Sequence, residues 1–448
     1  MKKKLLAGIL ALALCSTNML PQTIFAEEFT SGDPDVVSEE ETPEIFTNEE
    51  QETAGETDEE LSVFSSEEVP EFNDAPDEAM AAAENEQAGE IDLTTSNKVV
   101  NGVYTISSAG DHKFICSQET GNRIVVDGAN ISAEDKINIY LINVSINTSV
   151  DSALRIMRNV EAAVTIHLTG TNSLITKDNR CAGLQKDNEA QLIIKTNNSD
   201  ATAGILNARS IDGDGAGIGG GYQGSGSCSN IIIDSCSVIA SSKYGAGIGG
   251  SKQRAGSDIT INSASVTASS TDGAGIGGGL YGDGSDIIIN SSSVTASSTN
   301  GAGIGGGKGG AGSNNITING GSVKASSVSG SPTNEGKEVY CCTIENPENA
   351  NVTIKPGTGN WKPVNHSSLD LIDTNLYVWL PKFEGNSTNS YYSIILNPEN
   401  GSESRIRNYS FDTVTNTFKA AQVVNDFIFK SPVNPIYDGQ PKEASLEF

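Results

Sequence analysis

One phrase recurs through the middle of this chain. Gly-Ala-Gly-Ile-Gly-Gly begins at Gly215, Gly245, Gly273 and Gly301, with starts 30, 28 and 28 residues apart. After each copy come a loop, a short aliphatic run and a Ser-Val segment. The aliphatic runs are Ile231-Ile232-Ile233, Ile259-Thr260-Ile261, Ile287-Ile288-Ile289 and Ile316-Thr317-Ile318. A fixed period between 20 and 50 residues marks a stacked fold in which each unit touches only its neighbours.

Each repeat holds three strand-length pieces, and each piece alternates with period two. Ile218, then Ile231 and Ile233, then Val238 and Ala240 each share a face with their counterparts in the other repeats. No repeat has apolar residues at helical spacing. Three strands per period with inward aliphatic columns describe one coil of a parallel β-helix. A single coil buries too little to offset backbone ordering at about 1–2 kcal/mol per residue, so the stack must fold cooperatively. The rhythm continues upstream: Leu184, Leu154 and Ile124 stand where Ile218 stands, with Gln191–Lys195, Ala163–Leu168 and Lys136–Leu141 as partner strands. About seven coils result, from Ile124 to Ser327, the first ones degenerate and serving as an N-terminal cap.

The repeat phrase, followed by Asp258-Ile259-Thr260-Ile261-Asn262 and Ser265-Val266-Thr267-Ala268, resembles the glycine-rich right-handed parallel β-helix surface proteins of Gram-positive bacteria over about residues 120–345. That resemblance implies an all-β, pectate-lyase-like coil and a carbohydrate-binding role. Near the end, Pro435-Ile436-Tyr437-Asp438-Gly439 resembles the opening of an Ig-like surface module, which makes residues 431–448 the start of a further unit in a longer protein.

Residues 1–26 read as a secretory signal: Lys2-Lys3-Lys4, an apolar run from Leu5 to Leu14, and Ile24-Phe25-Ala26 before the cut. Cys15 resembles a lipoprotein acylation site, but Leu14 is too large for the position before it. Residues 27–90 hold 24 Asp or Glu and no Lys or Arg. Such a stretch cannot bury enough surface to fold, so it reads as an acidic spacer carrying most of the net charge of −29. The β-helix then spans 91–330, and an aromatic-rich β element, a C-terminal cap, spans 331–430. With no basic patch, nucleic acid is excluded as a partner, and no membrane span follows the signal. The six cysteines after the signal lack metal-ligand spacing; Cys228 and Cys236 flank one strand, too far apart to pair, so the thiols are expected to be mostly free.

The candidate binding residues cluster on the repeats. Gly217, Gly247, Gly275 and Gly303 face away from the aliphatic column and make a side-chain-free strip against which a polymer could lie. Tyr222, Tyr244 and Tyr281 flank it and offer rings for stacking on sugars. The alternative is that the glycines only relieve crowding at a corner and the tyrosines are ordinary loop residues. Asn230, Asp258, Asp286 and Asn315 share a column. Two carboxylates on neighbouring strands, about 4.8 Å apart, repel unless they splay into solvent or a Ca²⁺ sits between them. Asp212 and Asp214 form a second calcium candidate. Asn262, Asn290 and Asn319 read as a scaffold ladder of side-chain amides.

The phrase also satisfies G-x-G-x-x-G, but a dinucleotide site needs it once, opening a helix. Catalysis has little support: His112, His167 and His366 lie outside the regular coils, and Asp258 and Asp286 occupy equivalent positions, which argues against separate acid and base roles. The expected function is a secreted, non-enzymatic surface protein whose β-helix binds a plant or host polysaccharide, with Ca²⁺ assistance possible. An adhesin stalk without glycan binding, or a polysaccharide lyase or glycosidase, are the alternatives.

Overall fold

The computed structural model describes residues 89–197, 204–222, 228–346, 350–355, 375–383, 390–398 and 403–421, with a strand pair at Ile428–Phe429 and Leu446–Glu447. The signal segment, the acidic stretch up to residue 88, Trp361, His366 and nearly all of 431–448 lie outside the described residues.

The chain winds as a parallel β-helix with three walls. The first wall has eight parallel strands, from Val103–Ile106 and Arg123–Val126 to Ile304–Gly305. Eight strands bound seven windings. The second wall starts earlier than the sequence suggests, with Glu90–Asp92 and Gly110–Ile115 ahead of Lys136–Ile142. The third wall runs from Ser145–Thr148 through Ser265–Ser270. In the last two coils the second and third walls are single bent strands, Gly284–Ser298 and Ser313–Ala325.

The register makes the core. Ile124, Leu154, Leu184, Ile218, Ile248, Ile276 and Ile304 form one inward ladder along the first wall, each fully buried. On the second wall Ile139, Ile166, Ile194, Ile233, Ile261, Ile289 and Ile318 do the same. The degenerate coils and the glycine coils therefore share one hydrophobic column rather than two. The period-two alternation leaves every other residue outward, and there Asn262, Asn290 and Asn319 bond one to the next, at 2.8 and 2.9 Å.

The open end of the stack is met by a different structure. Lys337–Glu345 pairs antiparallel with Asn375–Pro381, and Asn351–Lys355, Tyr392–Asn397, Arg405–Asp412 and Thr417–Ala420 form an antiparallel sheet with its own core. Trp379 is buried against the last coil, and its indole N–H donates to the Val323 carbonyl at 2.9 Å. The Tyr377 amide donates to the Ser322 hydroxyl beside it. Carbonyls and side chains that a final coil would leave bare are satisfied this way.

Candidate functional site

Two neighbouring corners of the coil decide what the surface offers: the turn that enters the first wall and the loop that leaves it. In the glycine coils both are crowded with backbone. A Cβ on Gly217 would lie 2.6 Å from the Gly247 carbonyl, one on Gly247 2.6 Å from that of Gly275, and one on Gly275 2.6 Å from that of Gly303. Two residues on, Gly219, Gly249, Gly277 and Gly305 hold φ of +127 to +135, which side chains rarely adopt. All four of Gly217, Gly247, Gly275 and Gly303 are buried. The glycine column is thus a packing device, and the open strip expected from alternation is absent because neighbouring coil backbones close over it.

What the corner does present is a row of tyrosines, lysines and carboxylates. Tyr281 is 59% exposed, and its ring lies against Gly309, where a Cβ would come within 2.7 Å. Tyr244 is half-buried, with the Lys243 and Lys252 ammoniums 4.9 and 5.2 Å from its ring centre. Lys252 is also 5.7 Å from the ring of Tyr222. Each lysine answers a carboxylate: Lys252 to Asp214 at 3.2 Å, Lys243 to Asp212 at 3.9 Å, Lys308 to Asp272 at 3.7 Å. Backbone bonds stitch the row across coils, from Tyr244 N–H to the Gly213 carbonyl and from Tyr281 N–H to that of Lys308. The three tyrosines are therefore unequal: Tyr281 keeps an open ring, while lysines occupy the space around the rings of Tyr222 and Tyr244.

The calcium candidates find other employment. Asp212 and Asp214 are each paired with a lysine, as above. Asn230, Asp258, Asp286 and Asn315 all hold φ between +50 and +60. Asn and Asp are the side chains that tolerate this left-handed conformation, which explains the column without any ion. Asp286 accepts from the Asn315 amide at 2.9 Å. Among the described residues no group of three or more His, Cys, Asp or Glu side chains is arranged to hold a metal.

The irregular coils carry a site that the sequence reading passed over as a cap. On the first wall, Arg155 and Gln185 occupy the outward position that later becomes Gly219 and Gly249. Around them an ion network spans three coils. Arg123 donates to Asp151 at 2.7 Å, and Arg155 links Asp151, at 3.4 Å, to Asp187, at 2.9 Å. Gln185 donates to both oxygens of Asp187, and its own carbonyl accepts from Ser152 at 2.6 Å. Beside Asp151 a cleft of about 200 Å³ opens, lined by Val150, Arg155, Asp178, Arg180, Cys181 and Gln185. Adjoining hollows reach Lys177 on one side and Met157 and Arg158 on the other.

The electrostatics hold Asp151 charged and Cys181 protonated at neutral pH. Burial alone would raise the Asp151 carboxyl, but the Ser152 amide, Arg155, Arg123 and the Cys181 thiol together outweigh it and hold it below its usual value. A general acid needs the opposite. Burial, then Asp151 and Asp178, push the Cys181 thiol up to about 12, so it is no nucleophile at neutral pH. Burial lowers the ammonium pKa of Lys186, which donates to the Asn188 carbonyl inside the corner. The two described histidines stand elsewhere: His167 stacks on Tyr140 on the second wall, ring centres 4.5 Å apart, and an imidazole nitrogen of His112 lies 2.9 Å from the Ser108 carbonyl.

Cleft and tyrosine row are continuous. The Tyr222 amide donates to the Arg180 carbonyl at 2.7 Å, and that of Asp214 to the Asn179 carbonyl at 2.6 Å. The only sequence signal for the cleft was charge recurring near coil spacing: Arg123 to Asp151 is 28 residues, Arg155 to Asp187 is 32. All six described cysteines are free thiols, and no described helix is long and apolar enough to cross a membrane.

A beta helix repeat family model matches residues 259–280, 287–308 and 316–331. The three matches fall on consecutive coils, each starting at the first isoleucine of a second-wall segment. No curated protein and no solved structure matches the chain.

Proposed function

We propose that this is a secreted surface protein whose β-helix binds a polysaccharide along the coil corner, without catalysing a reaction. One observation carries the reading. The corner is a stepped row in which lysine–aspartate pairs recur from coil to coil at the strand spacing of about 4.8 Å, beside one open aromatic ring, that of Tyr281. A polymer of repeating units is the ligand class that can meet repeating groups. Tyr281 supplies an apolar face with a polar tip, and the Lys–Asp pairs supply fixed donors and acceptors for hydroxyls. Their mutual pairing also keeps the row close to neutral, so a hydroxyl-rich chain meets little net field. The depressed Asp151 carboxyl and the placing of His112 and His167 away from the corner favour binding over cleavage.

The test is retention of the full chain on an array of acidic and neutral polysaccharides, with and without calcium, alongside Tyr281→Ala. Retention on at least one polymer, weakened about tenfold by Tyr281→Ala, is expected. Base stacking on an aromatic side chain, a comparable ring-on-ring contact, is worth about 1–3 kcal/mol. No retention on any polymer in either condition sinks the reading, as does release of new reducing ends or unsaturated products.

A further inference from the structure

We infer that the cleft beside Asp151 is the end of the corner that receives an oxyanion, so that the bound polysaccharide carries carboxylate or sulfate groups. This rests on the glycan reading and names the ligand's class. Of the chain's eight arginines, Arg155 and Arg180 line this cleft, Arg123 is paired with its Asp151, and Arg158 lines the hollow that adjoins it at Arg155. Elsewhere on the corner Lys243, Lys252 and Lys308 are each spent on a carboxylate, with Arg254 an exposed arginine beside them. The guanidinium fork matches a planar or tetrahedral oxyanion in two parallel hydrogen bonds, which a lysine cannot do.

The cleft sorts its arginines into two kinds. Arg123 and Arg155 are held by Asp151 and Asp187, with the Asp187 carboxylate only 3% exposed. They fix the walls. Arg158 and Arg180 are exposed at the rims. Arg180 reaches Asp178 only at 4.0 Å, and Arg158 has no ion pair or hydrogen bond among the described residues. With Lys177 beside Arg180, the rim holds three cations against the one carboxylate of Asp178. In a chain of net charge −29, such a local excess is a place where an anion gains rather than loses. The Tyr222–Arg180 backbone bond makes the cleft and the tyrosine row one continuous track, so one sugar's acid group can sit in the cleft while later units pass Tyr281.

The test uses the full chain in about 0.15 M salt, where screening within about 8 Å mutes the distant acidic residues. The probes are alginate for carboxylate, dextran sulfate for sulfate, and dextran as the neutral control. The variants are Arg158→Glu with Arg180→Glu, chosen because neither side chain supports the internal network, and Tyr281→Ala. Retention of alginate or dextran sulfate at least tenfold above dextran, lost at least tenfold on charge reversal, is expected; which anion wins identifies the group. Dextran held as tightly as both anionic probes, or anionic binding untouched by the double reversal, overturns the inference. If Tyr281→Ala still weakens binding in that case, the glycan reading survives alone. Failure of every probe overturns both.

Discussion

The first coils and the glycine coils share one core and differ in what they do with the position next to it. In the first, the outward residue of the first wall is Val125, Arg155 or Gln185; in the second it is Gly219, Gly249, Gly277 or Gly305. The consequence is visible at once. Where Arg155 and Gln185 stand there, an ion network and a cleft occupy the corner. Where Gly219, Gly249 and Gly277 stand there, a carbonyl of the next coil lies 2.0–2.1 Å from where a Cβ would be, and no room remains. Regular repetition makes a tight wall, and departures from it make a site. The loops of the glycine coils then carry their tyrosines, lysines and carboxylates on the outside of that wall.

The largest expected effect tests the shared core. Ile276→Ala, in a glycine coil, and Leu184→Ala, in an irregular one, remove side chains that are equally and fully buried in the same ladder. Each should destabilise by about 2–5 kcal/mol, read as a lower denaturant midpoint of a single transition. Two separate transitions, with each variant shifting only its own, would break the comparison by showing two cores.

Next in size is the glycine itself. Gly247→Ala would put a methyl 2.6 Å from the Gly275 carbonyl and should cost about 1–3 kcal/mol, as overpacking does. Gly121→Ala, among the irregular coils, meets nothing closer than 3.9 Å, and should change stability by less than about 0.5 kcal/mol. Gly183, as crowded as Gly247 at 2.5 Å from the Leu174 carbonyl, should follow Gly247. Equal effects at Gly247 and Gly121 would mean that the space around the Cβ position does not set the cost.

That contrast also explains how far the sequence could be read. The fold was legible because the same residue types return at 28–30 residues, and Ile124, Leu154 and Leu184 continued the ladder even where the glycines had gone. Its two earliest second-wall strands were not, since Glu90–Asp92 and Gly110–Ile115 carry no repeat phrase. At the site, alternation correctly sent the glycines away from the aliphatic column but could not say that the next coil's backbone lies 2.6 Å beyond. The Asp258–Asp286 column was visible as a column; its cause, a left-handed φ at each coil, is a backbone fact that a list of side chains does not carry. The arginine cleft was hidden for a related reason. Its members come from three non-identical coils, and each alone looks like a scattered surface charge.

The smallest expected effect concerns pH, and it separates the regions again. The Asp151 carboxyl titrates below its unfolded value because the Ser152 amide, Arg155 and Arg123 outweigh the cost of its burial. A group of this sign contributes stability that is present above the unfolded pKa, about 3.9, and lost as pH falls through the folded one. Its partners sit in the irregular coils, whereas the carboxylates of the glycine-coil corner, such as Asp212, 80% exposed, are paired at the surface, where ion pairs are worth little. Asp151→Asn should therefore flatten part of the acid limb of a melting-temperature profile between about pH 5 and 2, and Asp212→Asn should leave it unchanged. If Asp212→Asn flattens the limb as much as Asp151→Asn, the cleft network is no tighter than the surface row, and the distinction between a built site and a decorated wall fails.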